Sequence, residues 1–269
     1  MSISKRIACA VVIGVALLAL LAGVVARNSY KVQFREAIDA PPSLQFPLGT
    51  DELGRDRLAR LLWGTRVSLA LAPAAALITT LLGASIGGTA GYLGGRWERL
   101  VLAATDLFLS LPWLFLLLAV RALLPLNASP YASVFITFLL LGCLGWANPA
   151  RIVRAATRTL ASSEYILQAK ASGISGFRLF WFQLAPNLRP ILLAQFWIAI
   201  PVFILSEANL ALLGLGVSEP LPSWGGMLRE LENYSAVLRN PAMLVPLALL
   251  IAVVSGLQVL LGTEETSPC

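Results

Sequence analysis

EYILQAKASGISGFRLFWFQLAPN, residues 164–187, is a polar, basic, amphipathic stretch set between apolar spans. Because both flanks belong in lipid, the stretch lies at a membrane surface. Ser162 and Ser163 suit the N-cap of a helix starting at Glu164. Strong helix formers follow as far as Ala171, and Gly173 breaks the run. A second short helix over 177–184 then reaches Pro186. Tyr165, Ala169 and Ser172 or Gly173 share one side, where small residues suit a partner's groove. A helix held in such a groove would pass the rigid-body motion of a cytoplasmic domain to the spans it joins. The same features also fit an amphipathic helix resting on lipid.

Composition agrees with a membrane setting. Of 269 residues, 58% are hydrophobic and 13% charged, against about 25% charged in soluble domains, and mean hydropathy is +0.79. A large soluble domain is excluded. The formal charge of +6 is spread among hydrophobic spans, which fits loops facing the anionic headgroups of a lipid bilayer and gives no reason to expect nucleic acid. Cys9, Cys143 and Cys269 have no metal-binding spacing, and histidine is absent. The commonest metal ligand and acid–base catalyst is therefore missing, and chemistry that drives this protein is expected in a partner.

Outward from the opening stretch, the apolar runs predict six spans, at 7–26, 67–92, 100–124, 131–146, 190–215 and 242–261. The expectation is an all-α polytopic membrane protein. Residues 27–65 form a mixed-charge connector in which 56–63 read as an interfacial amphipathic helix, with Leu58, Leu61 and Leu62 on one side and Arg57 and Arg60 elsewhere. Gly83, Gly87, Gly91 and Gly95 recur every four residues, a spacing that lets helix backbones approach closely. Residues 94–99 read as a short loop and 148–189 as a hydrophilic region with six basic residues and one acid. The 216–241 loop carries three acids and two basic residues, with a short helix after Trp224. The positive-inside rule then places both termini in the cytoplasm and residues 27–65 and 216–241 outside.

Three ionisable residues fall within or near spans. Asp106 and Glu207 stand as isolated charges, suited to capping broken helices, to a subunit interface or to a translocation path. Arg121, near the end of its span, is placed to snorkel. No phosphate-binding Gly-x-x-x-x-Gly-Lys-Ser/Thr loop is present.

Several separated motifs carry a family resemblance. They are FPLGTDELGRD at 46–56, with Gly49, Thr50, Asp51, Gly54, Arg55 and Asp56, followed by Leu58, Arg60 and GTRVSL at 64–69. Gly91-Tyr92 with Gly94-Gly95, Asp106 with Pro112, Ala150-Arg151 with Val153-Arg154, Glu207-Ala208 with LGLG at 213–216, and PSWG at 222–225 with Met227-Leu228 follow in order. The chain resembles, over nearly its whole length, the C-type inner-membrane permease of binding-protein-dependent ABC importers for dipeptides, oligopeptides and nickel. The resemblance implies a type I importer permease fold with six transmembrane helices and a cytoplasmic coupling helix. Residues 1–66 would be the first span and extracytoplasmic connector, 67–261 the transmembrane core, and 262–269 a short cytoplasmic tail.

It also implies a non-catalytic subunit of the bacterial inner membrane. The partners would be a homologous second permease, two ATP-binding subunits that bind ATP and Mg, an extracytoplasmic solute-binding protein and a peptide substrate. The family's coupling motif falls here, with Tyr165 before it, Leu167 at its glutamate, Gln168 and Ala169 at its alanines, Lys170 next, Gly173 at its glycine, and Pro186 and Asn187 closing it. This chain departs at the signature acid, now Leu167, and carries Phe182 and Gln183 where an Arg-His pair is usual. The family's tail survives only as Leu261-Gly262-Thr263. The departures leave helix geometry intact but remove charged anchors. Alternatives are an importer of nickel or another small solute, a non-transporting or regulatory membrane subunit with the same fold, and a proton-coupled carrier using Glu207.

Overall fold

A computed structural model of the protein describes residues 2–123 and 129–262. The tail from Thr263 to Cys269 and the expected end of the third span at Leu124 lie outside the described residues. Among the described residues the regular structure is helical, with one isolated bridge between Thr50 and Asp56. Five helices or helix runs are long and apolar enough to cross a membrane: Ile3–Leu20, Arg57–Leu93, Pro130–Ala161, Gly176–Leu212 and Pro241–Leu261. A sixth crossing results if the bent pair Gly95–Ser110 and Trp113–Leu123 counts as one span. The expected all-α membrane fold stands.

Several local expectations are corrected. The amphipathic segment at 56–63 and the second span form one helix of 37 residues, Arg57–Leu93. Its start is buried rather than interfacial, because Arg57 and Arg60 turn inward to carboxylates. The third span is broken by 91° at Ser110–Trp113. Pro112 forces the preceding Leu111 into an extended backbone (φ −82°, ψ 132°), which ends the first helix. Residues 94–99 are no loop; Gly95 already begins Gly95–Ser110. Within the hydrophilic region 148–189, Ala147–Ala161 is an amphipathic helix that buries Ala150, Val153 and Thr157.

The chain divides into two compact units. The first comprises the described residues of 1–72, 121–138 and 201–269. Here Ile3–Leu20 lies along Val245–Leu261. Gly256 makes that approach close, because a Cβ there would stand 3.1 Å from a Val12 methyl. In the same unit Trp224 is fully buried, its indole Nε1 donating to Thr65 Oγ1 at 2.8 Å.

The second unit comprises residues 73–120 and 139–200. Its organising contact is the glycine stripe. A Cβ at Gly83 would meet Pro149 Cβ at 2.5 Å, one at Gly91 would meet the Arg154 carbonyl oxygen at 2.5 Å, and one at Gly87 would overlap the Ala150 carbonyl. Only hydrogen at these positions lets Arg57–Leu93 touch the backbone of Ala147–Ala161. Gly95, the fourth in the series, meets nothing within 4 Å and lies outside this contact.

Candidate functional site

The 164–187 stretch forms a compact structure within the second unit. Its first element is the eight-residue helix Glu164–Ala171, with Glu164 in the first turn and Lys170 in the last, signs that suit the helix dipole. A helix of two turns is marginal on its own, so its position depends on tertiary anchoring. Ile166 supplies that anchor, fully buried with Leu179 and Leu184. Tyr92, Leu160, Ala169, Ile174 and Phe180 pack around the three. The Tyr92 hydroxyl donates to the Gly176 carbonyl at 3.0 Å, and its ring lies 5.5 Å from that of Phe180.

The end of the helix is set by glycine. Gly173 has φ +84°, its amide donates to the Lys170 carbonyl, and the Ile174 amide donates to the Ala169 carbonyl, both at 3.0 Å. These paired bonds are a Schellman stop, completed by the apolar contact of Ile174 with the cluster that Ala169 also joins. Beyond it, residues Phe180–Leu184 adopt a π-helical turn before the helix Ala185–Leu212. Pro186 has no amide hydrogen to continue an α-helical ladder, and the Asn187 side chain donates to the Gln183 carbonyl at 2.7 Å.

The N-terminal cap differs from expectation. Ser163 occupies the cap position, but its hydroxyl donates back to the Leu160 carbonyl and makes no cap bond to the helix. The expected presenting side also shifts, because Ala169 packs inward. Exposed instead are Glu164, Tyr165, Leu167, Gln168 and Lys170, with Leu167 53% accessible. Ser172, Gly173, Pro186 and Asn187 are exposed as well.

Asp106 is not an isolated charge. It faces the guanidinium of Arg151, and one register away Glu98 is held between Arg154 and Arg158. These pairs link Gly95–Ser110 to Ala147–Ala161 along one seam. Glu207, in the first unit, is fully buried. Its carboxylate accepts from the Ser223 hydroxyl at 2.8 Å and the Gly225 amide at 3.3 Å, at the start of Trp224–Arg229. Arg121 does not snorkel. It is buried, with Nε donating to the Leu215 carbonyl at 3.1 Å and Nη2 to Ser133 Oγ at 3.2 Å.

The connector motif builds the most heavily charged part of the first unit. Gly49 and Gly54 take positive φ, at +74° and +72°. Between them Asp51 accepts from the amides of Leu53 and Arg55 and from Arg55 Nε at 2.7 Å. Thr50 accepts from the Ala40 amide, and Asp56 caps the long helix by accepting from the Leu58 amide at 2.9 Å. Arg55 Nη1 reaches Glu219 Oε2 at 2.5 Å, and Arg60 Nη2 reaches Glu219 Oε1 at 3.0 Å. Arg57 pairs with Glu230.

Burial pushes the Glu219 carboxyl up, but bonds and charge from Arg60 and Arg55 outweigh it and hold the group below its ordinary range. Burial pushes Glu230 up, and Arg57 and Arg60 offset this only in part. The sequence reading missed Glu219, Glu230 and the inward role of Arg57 and Arg60. Their partners are more than 150 residues apart in the chain, and no local spacing signals such a pairing.

Residues 79–263 match the family described as binding-protein-dependent transport system inner membrane component. The chain is 32% identical over 220 residues to the oligopeptide transport system permease protein OppC of Bacillus subtilis, covering 82% of this chain and 70% of that protein. It is 36% identical over 190 residues to the dipeptide transport system permease protein DppC of Bacillus subtilis, covering 71% and 58%. Identity to the nickel transport system permease protein NikC of Escherichia coli is 35% over 204 residues, covering 74% and 72%. With more than half its length inside the matched region and the relatives aligned along most of it, the chain belongs to the family of binding-protein-dependent transport system inner membrane components.

Proposed function

We propose that this chain is a permease subunit of an ATP-driven importer, carrying peptides across a bacterial inner membrane after an extracytoplasmic solute-binding protein delivers them. The relatives named for oligopeptide and dipeptide transport support peptide as the cargo. The observation that carries the mechanism is the geometry of Glu164–Ala171. Ile166 pins the helix from below, Gly173 stops it, and Leu167, Gln168 and Lys170 stand free on its outer side.

In this reading a homologous second permease completes the pathway, and two partner subunits bind ATP and Mg and dock on these helices. Closure of the partners on ATP pushes the helix. Ile166, Leu179 and Tyr92 pass that displacement to Arg57–Leu93 and Ala147–Ala161, which are locked together through the glycine stripe. Residues 1–66 form the first span and extracytoplasmic connector, 67–261 the core and 262–269 a cytoplasmic tail, with both termini cytoplasmic. Asp106 and Glu207 serve the subunit's internal framework, through the Arg151 pair and the Trp224 loop respectively.

The test is reconstitution with the partner subunits and comparison of Gly173→Ala with Gly173→Trp. A side chain at 173 meets nothing within 4 Å in this chain, and either variant carries the same left-handed backbone strain of about 1–2 kcal/mol. Only tryptophan adds bulk to the outer side. Loss of uptake and of stimulated hydrolysis in Gly173→Trp, beyond that in Gly173→Ala, is the expected result. Unchanged uptake and hydrolysis in Gly173→Trp removes the docking role, and uptake of Ni2+ in place of labelled peptides reassigns the cargo.

A further inference from the structure

The segment that follows the surface helix in the second unit combines unmatched positive charge with exposed aromatic rings. From Tyr165 to Ser206 the sequence holds no acid, while Lys170, Arg178 and Arg189 are all exposed. The described ion pairs of this unit join Arg151, Arg154 and Arg158 to Asp106 and Glu98, and none reaches Arg178. Arg178 instead lines a cavity of about 190 Å3 with Ile174, Phe182 and Gln183. At roughly 30 Å3 per water, this is room for a phosphate group and some water. Beside it Phe177, Trp181 and Phe182 are more than half exposed, with the Phe177 and Trp181 rings 5.8 Å apart. Leu179 and Leu184 turn inward from the same segment, so the aromatic side is the one left for an occupant.

The segment's place in the chain says what covers that side. Gly176–Leu212 is long and apolar enough to cross a membrane, and its 37 residues exceed the ~20 that a hydrocarbon core needs. Its basic residues, Arg178 and Arg189, are confined to the first part, and from Pro190 no charge follows until Glu207. Residues 177–184 therefore stand at headgroup level, where aromatic side chains are favoured and basic ones meet anionic lipid. We propose that Arg178, with Gln183, holds the phosphate of an anionic phospholipid in this cavity, while Phe177, Trp181 and Phe182 lie at the boundary between headgroups and acyl chains. Ile174, which walls the cavity, also packs against the cluster of Ile166, Leu179 and Leu184, so the lipid steadies the stop of the surface helix. The proposal goes beyond the importer reading and needs only that Gly176–Leu212 crosses a bilayer.

The experiment places the full chain in phosphatidylcholine nanodiscs with a sub-saturating amount of phosphatidylglycerol that carries a photoactivatable headgroup, and maps the crosslinked peptides by mass spectrometry. Crosslinks are expected within 174–183, competed by unlabelled phosphatidylglycerol but by neither extra phosphatidylcholine nor inorganic phosphate. Arg178→Gln should lower their yield about fivefold, the weight of one basic residue at an anionic surface, and Arg178→Lys should keep most of it. Phe182→Ser should lower the yield while the preference for the anionic headgroup remains. Equal yields in the wild type and Arg178→Gln refute the site, as does equal competition by phosphatidylcholine. Competition by inorganic phosphate makes it a site for free anions and refutes the lipid. In the assembled transporter the crosslinks should persist, and their loss on assembly gives the patch to the ATP-binding subunit and overturns the proposal. An assembled complex that shows no ATP-driven uptake defeats the importer reading and leaves these crosslinks in place.

Discussion

Replacing Ile166 with alanine removes the γ- and δ-carbons of a fully buried side chain from the contact with Leu179 and Leu184. Core truncations of this kind cost about 2–5 kcal/mol. The loss falls on an eight-residue helix whose other ties are the Gly173 stop and the half-buried contacts of Ala169. At about 3 kcal/mol, the ratio of anchored to detached helix falls on the order of a hundredfold. Hydrogen exchange read by mass spectrometry should show lost protection across 164–174 with little change in Arg57–Leu93. In the reconstituted complex, peptide moved per ATP hydrolysed should drop sharply, because closure of the ATP-binding subunits would swing a loose helix instead of the spans. Leu167→Ala is the companion variant. Leu167 is exposed, so exchange should stay at the wild-type level while coupling weakens. Full protection and full coupling in Ile166→Ala would refute the claim that Ile166 transmits force.

Three further outcomes follow from the packing and the charges. Gly87→Val drives a branched side chain into the Ala150 backbone; overpacking of about 1–3 kcal/mol or more should lower thermal stability in detergent, whereas Gly95→Val, with open space around its Cβ, should cost only its backbone strain. Glu207→Leu leaves the Ser223 hydroxyl and Gly225 amide without their acceptor, a loss of about 1–3 kcal/mol. Glu207→Gln keeps an acceptor and should retain ATP-driven uptake, an outcome that a proton relay through this carboxylate forbids. Glu219, held below the ordinary carboxylate range, contributes stability that is present above its unfolded pKa and lost as pH falls through the lower folded value. Glu230 is raised, so its contribution is full at low pH and lost as pH rises through the folded value. Thermal melts near neutral pH should therefore show Glu219→Gln more damaging than Glu230→Gln, and the reverse order contradicts the assignment.

What could be read from the sequence was what depends on local composition. Apolar runs marked the membrane fold, the four-residue glycine spacing marked a close helix contact that Gly83, Gly87 and Gly91 make, and Gly173 marked the stop after the surface helix. The break at Pro112 was written in the chain but hidden inside an apolar run that reads as continuous. Arg60 looked like the polar face of an interfacial helix because its partner Glu219 is distant in sequence. Asp106 looked solitary for the same reason, with Arg151 on another helix. Ala169 looked presentable because alanine has too little apolar surface to declare which way it faces. Only the position of Leu179 and Leu184 beneath the helix decides that it turns inward.

If the outer side of Glu164–Ala171 meets an ATP-binding subunit rather than lipid, its exposed side chains lie within crosslinking reach of that subunit. Single cysteines at Leu167, Gln168 and Lys170, carrying a short photo-crosslinker in the assembled transporter, report which neighbour these exposed side chains have. Crosslinks to the ATP-binding subunit are expected from all three positions, with a change in their yield when ATP is added. Crosslinks to lipid at 167, 168 and 170, unchanged by ATP, would contradict that contact.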